Sequence, residues 1–341
     1  MKGTCARLIP AVLIAVLLCG FSVSAQVPDA LKPYVDRAIS HVQANSLYRE
    51  KVDWNTLRDE VYLQARDAKT VEELAPALRN VLSKLTDSHG KFIYKNKILA
   101  YWNGPLTENQ KKIDSGIWNE IQSGKYSFKS EMLNNRIGYL RVTGLPMGDN
   151  VKMSAEIRNA VCSLKTQKAT RWIIDLRYNG GGNMYPMMEG LGTLIGDGLV
   201  GKVSDASGKT ISNWTIKDGD FYYDNYLAAD LPNDCKFEKL PKVAVLISQY
   251  TASSGEAVAV ALKGRPGTRF FGLETAGLVT VTDWTPINSD LFASVSIGYY
   301  ADRNGKIYNN FVEPDEKIEI VLTEDKKADQ VLQRAILWLK K

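Results

Sequence analysis

Apolar residues recur at intervals of three and four through the first quarter of the chain. DALKPYVDRAISHVQANSLY (29–48), DWNTLRDEVYLQARDA (53–68) and TVEELAPALRNVLSKL (70–85) each carry that spacing, which predicts three amphipathic helices. Asp53 stands where an N-cap belongs, and Thr70 with Glu73 has the spacing of a capping box. The pattern breaks at Gly90 in LTDSHGKFIY. Residues 91–135 are mixed and polar, and no element is predicted there.

From Asn135 the period changes. RIGYLRVTGL reads as a strand, NVKMSAEIRNAVCSLKTQ as a helix, RWIIDLRY as a buried strand and NMYPMMEGLGTLIG as a helix. KVAVLIS and AVAVALKG supply one more strand and helix. Such alternation implies an α/β fold whose strands are covered by helices on both faces. TRFFGL, VTVTDWTPI, DLFASVSIGYYAD and KIEIVL are strand-like, and ADQVLQRAILWLKK closes the chain as a helix. An insertion at 203–241 contains KTISNWTIKDGDFYYDN, a predicted hairpin whose tyrosines either line a cleft or pack on their own domain. The expected division is a leader at 1–25, a helical domain at 26–95, a connection at 96–135 and a core at 136–341.

Composition narrows the function. The chain has 341 residues, 45% hydrophobic and 24% charged, which is globular composition. Its net charge of +5 is spread along the chain without a basic run interleaved with aromatics, so nucleic acid is not an expected partner. Lys2 and Arg7, the apolar stretch Leu8 to Phe21 and the small residues Val23-Ser24-Ala25 have the pattern of a signal peptide. The expected product is a periplasmic or secreted protein beginning near Gln26, with no integral span after cleavage. Leu17-Leu18-Cys19 resembles a lipobox, but Leu18 is large where a small residue is wanted, which ranks lipoprotein anchoring below the soluble form. Export leaves Cys162 and Cys235, which allow one disulfide. Those two with His41 and His89 do not make a Cys/His zinc site at any usual spacing, so neither metal nor cofactor is expected.

Three short segments could carry chemistry. DLRYNGGGNMY (175–185) ends a strand in three glycines before a helix, exposing backbone N–H groups able to hold a phosphate or an oxyanion. It lacks a P-loop lysine, and a plain strand-to-helix turn would explain it equally. QYTASSGEA (249–257) places Ser253 and Ser254 at another strand-to-helix turn, where the N–H of the residue after a nucleophile can face the same oxyanion. Helix capping is the simpler account, since Glu256 completes a capping box. TDSHGKF (86–92) sets His89 in a loop at a helix end, where its ordinary pKa suits a general base.

Together DSH (87–89), DLRYNGGG (175–182), TASSGEAVAVALKG (251–264) and GLETAG (272–277) with VEPD (312–315) resemble the C-terminal processing, or tail-specific, serine peptidases. The resemblance extends to their relatives, the tricorn core peptidase and the interphotoreceptor retinoid-binding modules. It implies a crotonase-like (ClpP/crotonase) core of ββα units with an N-terminal helical domain. It also implies a serine peptidase acting on peptides or unfolded protein through an acyl-enzyme on Ser253. Gly181, Gly182 and Ser254 N–H would form the oxyanion hole. Tail-specific peptidases take their base from a lysine in a GxxTxGK-type motif, where this chain has Leu278. Ser88-His89 matches the tricorn-like alternative, with His89 as base and Ser88 orienting it. The family's further acid does not transfer cleanly, and Glu274 and Glu313 stand as possible partners. Only 91–135 could hold a PDZ module of about 80–90 residues, so none is expected. The missing lysine also admits a catalytically weak or inactive relative that binds a peptide or apolar ligand.

Overall fold

The computed structural model describes residues 27–341 apart from 107, 134–135, 233–234 and 322, so the expected signal peptide lies outside the described residues. Three helices open the chain: α1 Lys32–Asn45, α2 Trp54–Ala65 and α3 Ala75–Leu85. Asp53 caps α2 by accepting from Thr56 N–H at 2.8 Å. The box expected at Thr70 and Glu73 forms only in half. Glu73 N–H reaches Thr70 Oγ1 at 3.4 Å, but the Glu73 carboxylate accepts from Lys69 N–H instead. That turn is a 3₁₀ turn, Glu72–Leu74, and the α-helix proper begins beyond it with Pro76 in its first turn, where a missing N–H costs nothing. Helix α3 buries Leu78, Val81, Leu82 and Leu85 and ends on Thr86 at φ 59°, a left-handed cap that turns the chain sharply into Asp87-Ser88-His89.

The segment without predicted elements supplies β1 Lys91–Tyr94, β2 Lys97–Tyr101, α4 Ser115–Gln122 and β3 Lys129–Leu133. The expected alternation follows as β4 Ile137–Arg141, α5 Asn150–Thr166, β5 Arg171–Asp175 and α6 Met184–Ile195. A meander comes next: β6 Gly198–Ser204, β7 Thr210–Lys217, β8 Asp220–Tyr223 and β9 Tyr226–Leu227, with the expected hairpin at β7–β8. Then come β10 Lys242–Ile247, α7 Ser254–Leu262 and β11 Thr268–Gly272. The last elements are β12 Thr280–Thr282, β13 Thr285–Pro286, β14 Leu291–Ser294, β15 Ser296–Asp302, β16 Ile307–Tyr308, β17 Glu316–Lys317 and α8 Gln330–Lys340.

These strands make three sheets in a mixed α/β fold. The central sheet runs β17-β11-β10-β5-β4-β3, parallel except for β3. Strand β10 shows why it is central. Val243, Val245 and Ile247 pack into the core shared with α5, α6 and α7, while Ala244 and Leu246 on the other face meet α8. A run apolar at every position from Val243 to Ile247 fits only where helices cover both faces.

A second sheet, β12-β15-β6-β7-β8-β9, carries the insertion. The third, β13-β14-β1-β2, joins distant parts of the chain: Phe92 pairs with Ala293, and both sit in one core with α1–α3, Leu291 and Val295. The N-terminal unit is therefore not closed by residues 26–95 alone; C-terminal strands complete its core. Cys162 on α5 is disulfide-bonded to Cys235. Among the described residues no helix is long and apolar enough to cross a membrane.

Candidate active site

The turn after β10 is fastened to the turn after the neighbouring β5. Ser248 Oγ donates to Arg177 C=O and Thr251 Oγ1 to Leu176 C=O, each at 2.8 Å, and Ala252 N–H donates to Asn179 C=O at 2.9 Å. Gly255 sits so close that a Cβ there would meet Asn179 O at 2.6 Å. Ser253 ends this turn at φ 52°, ψ −117°. That backbone state costs a residue with a Cβ about 1–3 kcal/mol and persists only where the surroundings impose it.

Glu256, fully buried, accepts from Ser253 N–H at 2.8 Å, as expected of a capping residue. It also accepts from the Thr275 hydroxyl and from Gly277 N–H at 2.9 Å, which ties GLETAG to the helix start. Burial pushes its carboxyl up to about 7. The Ser253 side chain closes the expected capping box with Glu256, but capping does not account for its Oγ lying 3.0 Å from His89 Nε2.

The glycine turn lies beside it. Gly181 and Gly182 have φ of 100° and 106°, and an added Cβ would lie 2.8 Å from Ser253 Cβ and 2.1 Å from Leu145 O respectively. Gly181 N–H is already used, donating to Asn179 Oδ1 at 3.0 Å, so it does not serve as the expected oxyanion donor. Its contribution is the missing side chain. Gly182 N–H and Ser254 N–H have no acceptor among the described residues, and both residues line the cleft with Ser253. Ser254 Oγ donates to Gly182 C=O at 2.6 Å, which clamps the two donors' segments together.

The surroundings of His89 depart from expectation at Ser88. That residue is exposed, while its neighbours Asp87 and His89 turn inward. His89 Nδ1 instead meets Thr280 Oγ1 at 2.8 Å. Thr280 Oγ1 lies 3.1 Å from Ser296 Oγ, which donates to Asp87 Oδ1 at 2.8 Å. Asp87 is buried and also receives the N–H groups of His89, Gly90 and Ser296, at 3.2, 2.9 and 2.9 Å. An ionised carboxylate only accepts, so it sets the direction of the whole chain. Ser296 donates to Asp87, Thr280 to Ser296, His89 Nδ1–H to Thr280, and Ser253 O–H to the lone pair of Nε2.

Glu274 pairs with Lys317, and Glu313 is exposed; neither hydrogen-bonds to His89. Burial is the main cause that lowers the His89 pKa to about 4; the Asp87 charge opposes this and the Lys91 charge adds to it. Thr280 and Ser296 carried no signal in the sequence, and Asn179 was visible only as a letter of DLRYNGGG. Asp87 was visible only as the first letter of DSH.

Ser253 and His89 open into a cleft of about 490 Å³ walled by Met147, Tyr185 and Trp284. Met147 and Trp284 are 68% and 50% exposed, an apolar lining open to solvent. The insertion reaches this cleft: Tyr223 lines it, and Tyr226 packs edge-on against Tyr185 with ring centres 5.5 Å apart. His41 on α1 bonds Asp283 at 2.6 Å and holds that helix against the cleft wall. A second cleft of about 410 Å³ lies beyond the glycine turn, lined by Gln122, Tyr126 and Gly180 to Gly182.

The model of peptidase family S41 matches residues 136–318. The nisin-resistance protein of Lactococcus lactis subsp. lactis is 24% identical over 321 residues, covering 92% of this chain and 88% of that one. A lipoprotein from Streptococcus agalactiae superposes with a TM-score of 0.69 at 21% identity, over 92% of this chain and 97% of the other. The photosystem II D1 C-terminal processing protease has the same fold at a TM-score of 0.57 and 16% identity, over 90% and 97% of the two chains.

Proposed function

Starting from the chain's membership of peptidase family S41, we propose that it is an exported serine peptidase that cleaves peptides or unfolded protein segments. The observation that carries this reading is the 3.0 Å contact between His89 Nε2 and Ser253 Oγ. Ser253 Oγ attacks the scissile carbonyl as its proton passes to His89 Nε2. Negative charge gathers on the carbonyl oxygen, which Gly182 N–H and Ser254 N–H stabilise in place of Gly181. His89 then returns the proton to the leaving amine, leaving an ester on Ser253. Water, deprotonated by the same ring, hydrolyses that ester and restores the serine.

Thr280, Ser296 and Asp87 are positioning residues in this scheme. They hold the tautomer with the proton on Nδ1 and disperse the charge of the imidazolium that forms. The low pKa of His89 keeps the ring neutral, and so able to accept a proton, across the physiological range. Leu278 leaves no gap in this scheme, because His89 is the base and the segment that carries Leu278 delivers Thr280 to its ring.

We read the central sheet with α5, α6 and α7 as a crotonase-like core and α1–α3 as a helical domain docked on it. Residues 1–25, the Cys162–Cys235 bond and the likeness to a protein described as a lipoprotein support a place outside the cytoplasm.

A serine-directed fluorophosphonate separates a peptidase from a binder of the same fold. Labelling should map to Ser253 and vanish in Ser253→Ala and in His89→Ala. A folded wild-type protein that stays unlabelled and hydrolyses no member of a peptide library is a binder, and the reading fails.

A further inference from the structure

We propose that Lys91 forms a carboxylate-binding subsite in the cleft, selecting substrates that carry an acidic group close to the cleaved bond. This rests on the peptidase reading above. Lys91 is the first residue of β1, two positions after His89, and lines the same cleft as Ser253 and His89. Its strand partner Ser294 lines that cleft too. The other ionisable acid or histidine side chains on the lining are His89 and Asp283. Asp283 is already engaged, accepting from His41 at 2.6 Å, from Val295 N–H at 2.7 Å and from the Thr285 hydroxyl at 3.0 Å. Among the described residues no carboxylate lies within 4.0 Å of Lys91 Nζ.

An ammonium group partly withdrawn from water is costly when it has no counter-charge. Elsewhere the chain meets that cost directly: Lys263, also largely buried, is paired with Asp315. Lys91 has no such partner, and it stands among apolar walls that strengthen its field in the cleft. An anion arriving with the substrate supplies the missing partner. In a peptide that anion is a carboxylate, either an Asp or Glu side chain or the free C-terminus. The reach is short, since an extended strand advances about 3.3 Å per residue and Lys91 lies two residues from the base.

The test compares matched peptides, Glu against Gln near the cleaved bond and free acid against C-terminal amide, in wild type, K91M, K91E and K91R. Wild type should favour at least one acidic form in kcat/KM on the order of tenfold or more, as for close charge pairs at interfaces. K91M should bring that ratio to near one, K91E should reverse it, and K91R should restore it; a merely structural lysine would lower all substrates together and leave the ratio alone. A ratio that moves only in the Glu/Gln pair assigns a side chain, and one that moves only in the acid/amide pair assigns the C-terminus. Equal kcat/KM for every peptide in wild type overturns the subsite and leaves the peptidase standing. If no peptide is turned over, binding of the same pairs to Ser253→Ala by calorimetry decides, and affinity blind to the carboxylate overturns the subsite there as well.

Discussion

The proposed nucleophile side and the proposed base side of this site are built in opposite ways. Ser253, Ser254 and Gly182 come from two strand-to-helix turns that follow paired strands, β5 and β10, and the turns are stitched to each other by short hydrogen bonds. His89, Thr280, Ser296 and Asp87 come from the end of α3 and from two later strands. The His89–Thr280 contact spans 191 residues of sequence, and the Asp87–Ser296 contact spans 209. The first half is set where two neighbouring strands of the central sheet end, so it stands wherever that sheet stands. The second half exists only when the helical unit is docked on the C-terminal strands, so it reports on the whole fold.

The largest expected effects test whether the two halves act as one machine. Ser253→Ala and His89→Ala should each lower kcat by on the order of 10⁴ or more, and the double variant should be no worse than either single. Additive losses would mean that the serine and the histidine work in separate steps, and the comparison would lose its point.

Gly182→Ala probes the local half without touching a reacting side chain. Its Cβ would lie 2.1 Å from Leu145 O at a φ of 106°, so the turn must shift and carry the Gly182 N–H away. The loss should be about 10²–10³ in kcat, the cost of one oxyanion donor. A thermal melt near wild type alongside that loss would place the effect in the site rather than in the fold. A fully active Gly182→Ala would remove the glycine turn from the mechanism.

Thr280→Val probes the dispersed half. It keeps the side chain's shape and deletes the hydroxyl between His89 and Ser296. We expect kcat to fall by on the order of 10–10² with little change in KM, less than the roughly 10²–10⁴ that the proton-transfer group itself contributes. Asp87→Asn should cost more in stability, since it leaves a buried network half satisfied. In a Thr280→Val background, however, Asp87→Asn should add little to the loss in kcat. Full additivity of the two would show that Asp87 acts by a route other than Thr280.

How much of this was legible in the sequence follows the same division. The βα turns could be read because strand and helix periods are local, and because glycines and adjacent serines stand out at strand ends. DSH, DLRYNGGG and TASSGEA pointed to His89, Gly182 and Ser253 without knowledge of any tertiary contact. Ser88 and Gly181 were misread for one reason: adjacency in sequence was taken for adjacency in space. Ser88 faces solvent because its neighbours face in, and the Gly181 N–H is consumed by Asn179 two residues before it. Thr280 lies in VTVT, an ordinary β-branched strand segment, and only its pairing beside β15 turns it toward the histidine. Residues 91–135 gave no signal because β1 and β2 are strands of 4 and 5 residues, their hairpin turns on Lys95-Asn96 without a glycine, and the other partner of β1 is the distant β14.

Acid titration sharpens the base half. His89 must be neutral to accept a proton, so kcat/KM is retained above its pKa and lost as the pH falls through about 4, not through the ordinary histidine range. In the unfolded chain the ring takes its proton near 6.5, so stability should also decline as the pH falls from about 6.5 toward 4. The neighbouring charges move the acid limb in opposite directions: K91M should raise the apparent pKa, and Asp87→Asn should lower it further. A wild-type limb near 6.5 would mean that burial does not lower the ring's pKa.

The smallest effect belongs to Ser254→Ala. The backbone N–H proposed as a donor survives this change, and only the 2.6 Å bond from Oγ to Gly182 C=O is lost. A single neutral hydrogen bond contributes about 0.5–1.5 kcal/mol, so a loss of several-fold in kcat is expected rather than one of hundreds. Most of that loss should disappear in a Gly182→Ala background, because the clamp has nothing left to hold in register. A Ser254→Ala protein as dead as Ser253→Ala would make the second hydroxyl a participant in proton transfer, and the local half would then contain chemistry now assigned to the dispersed one.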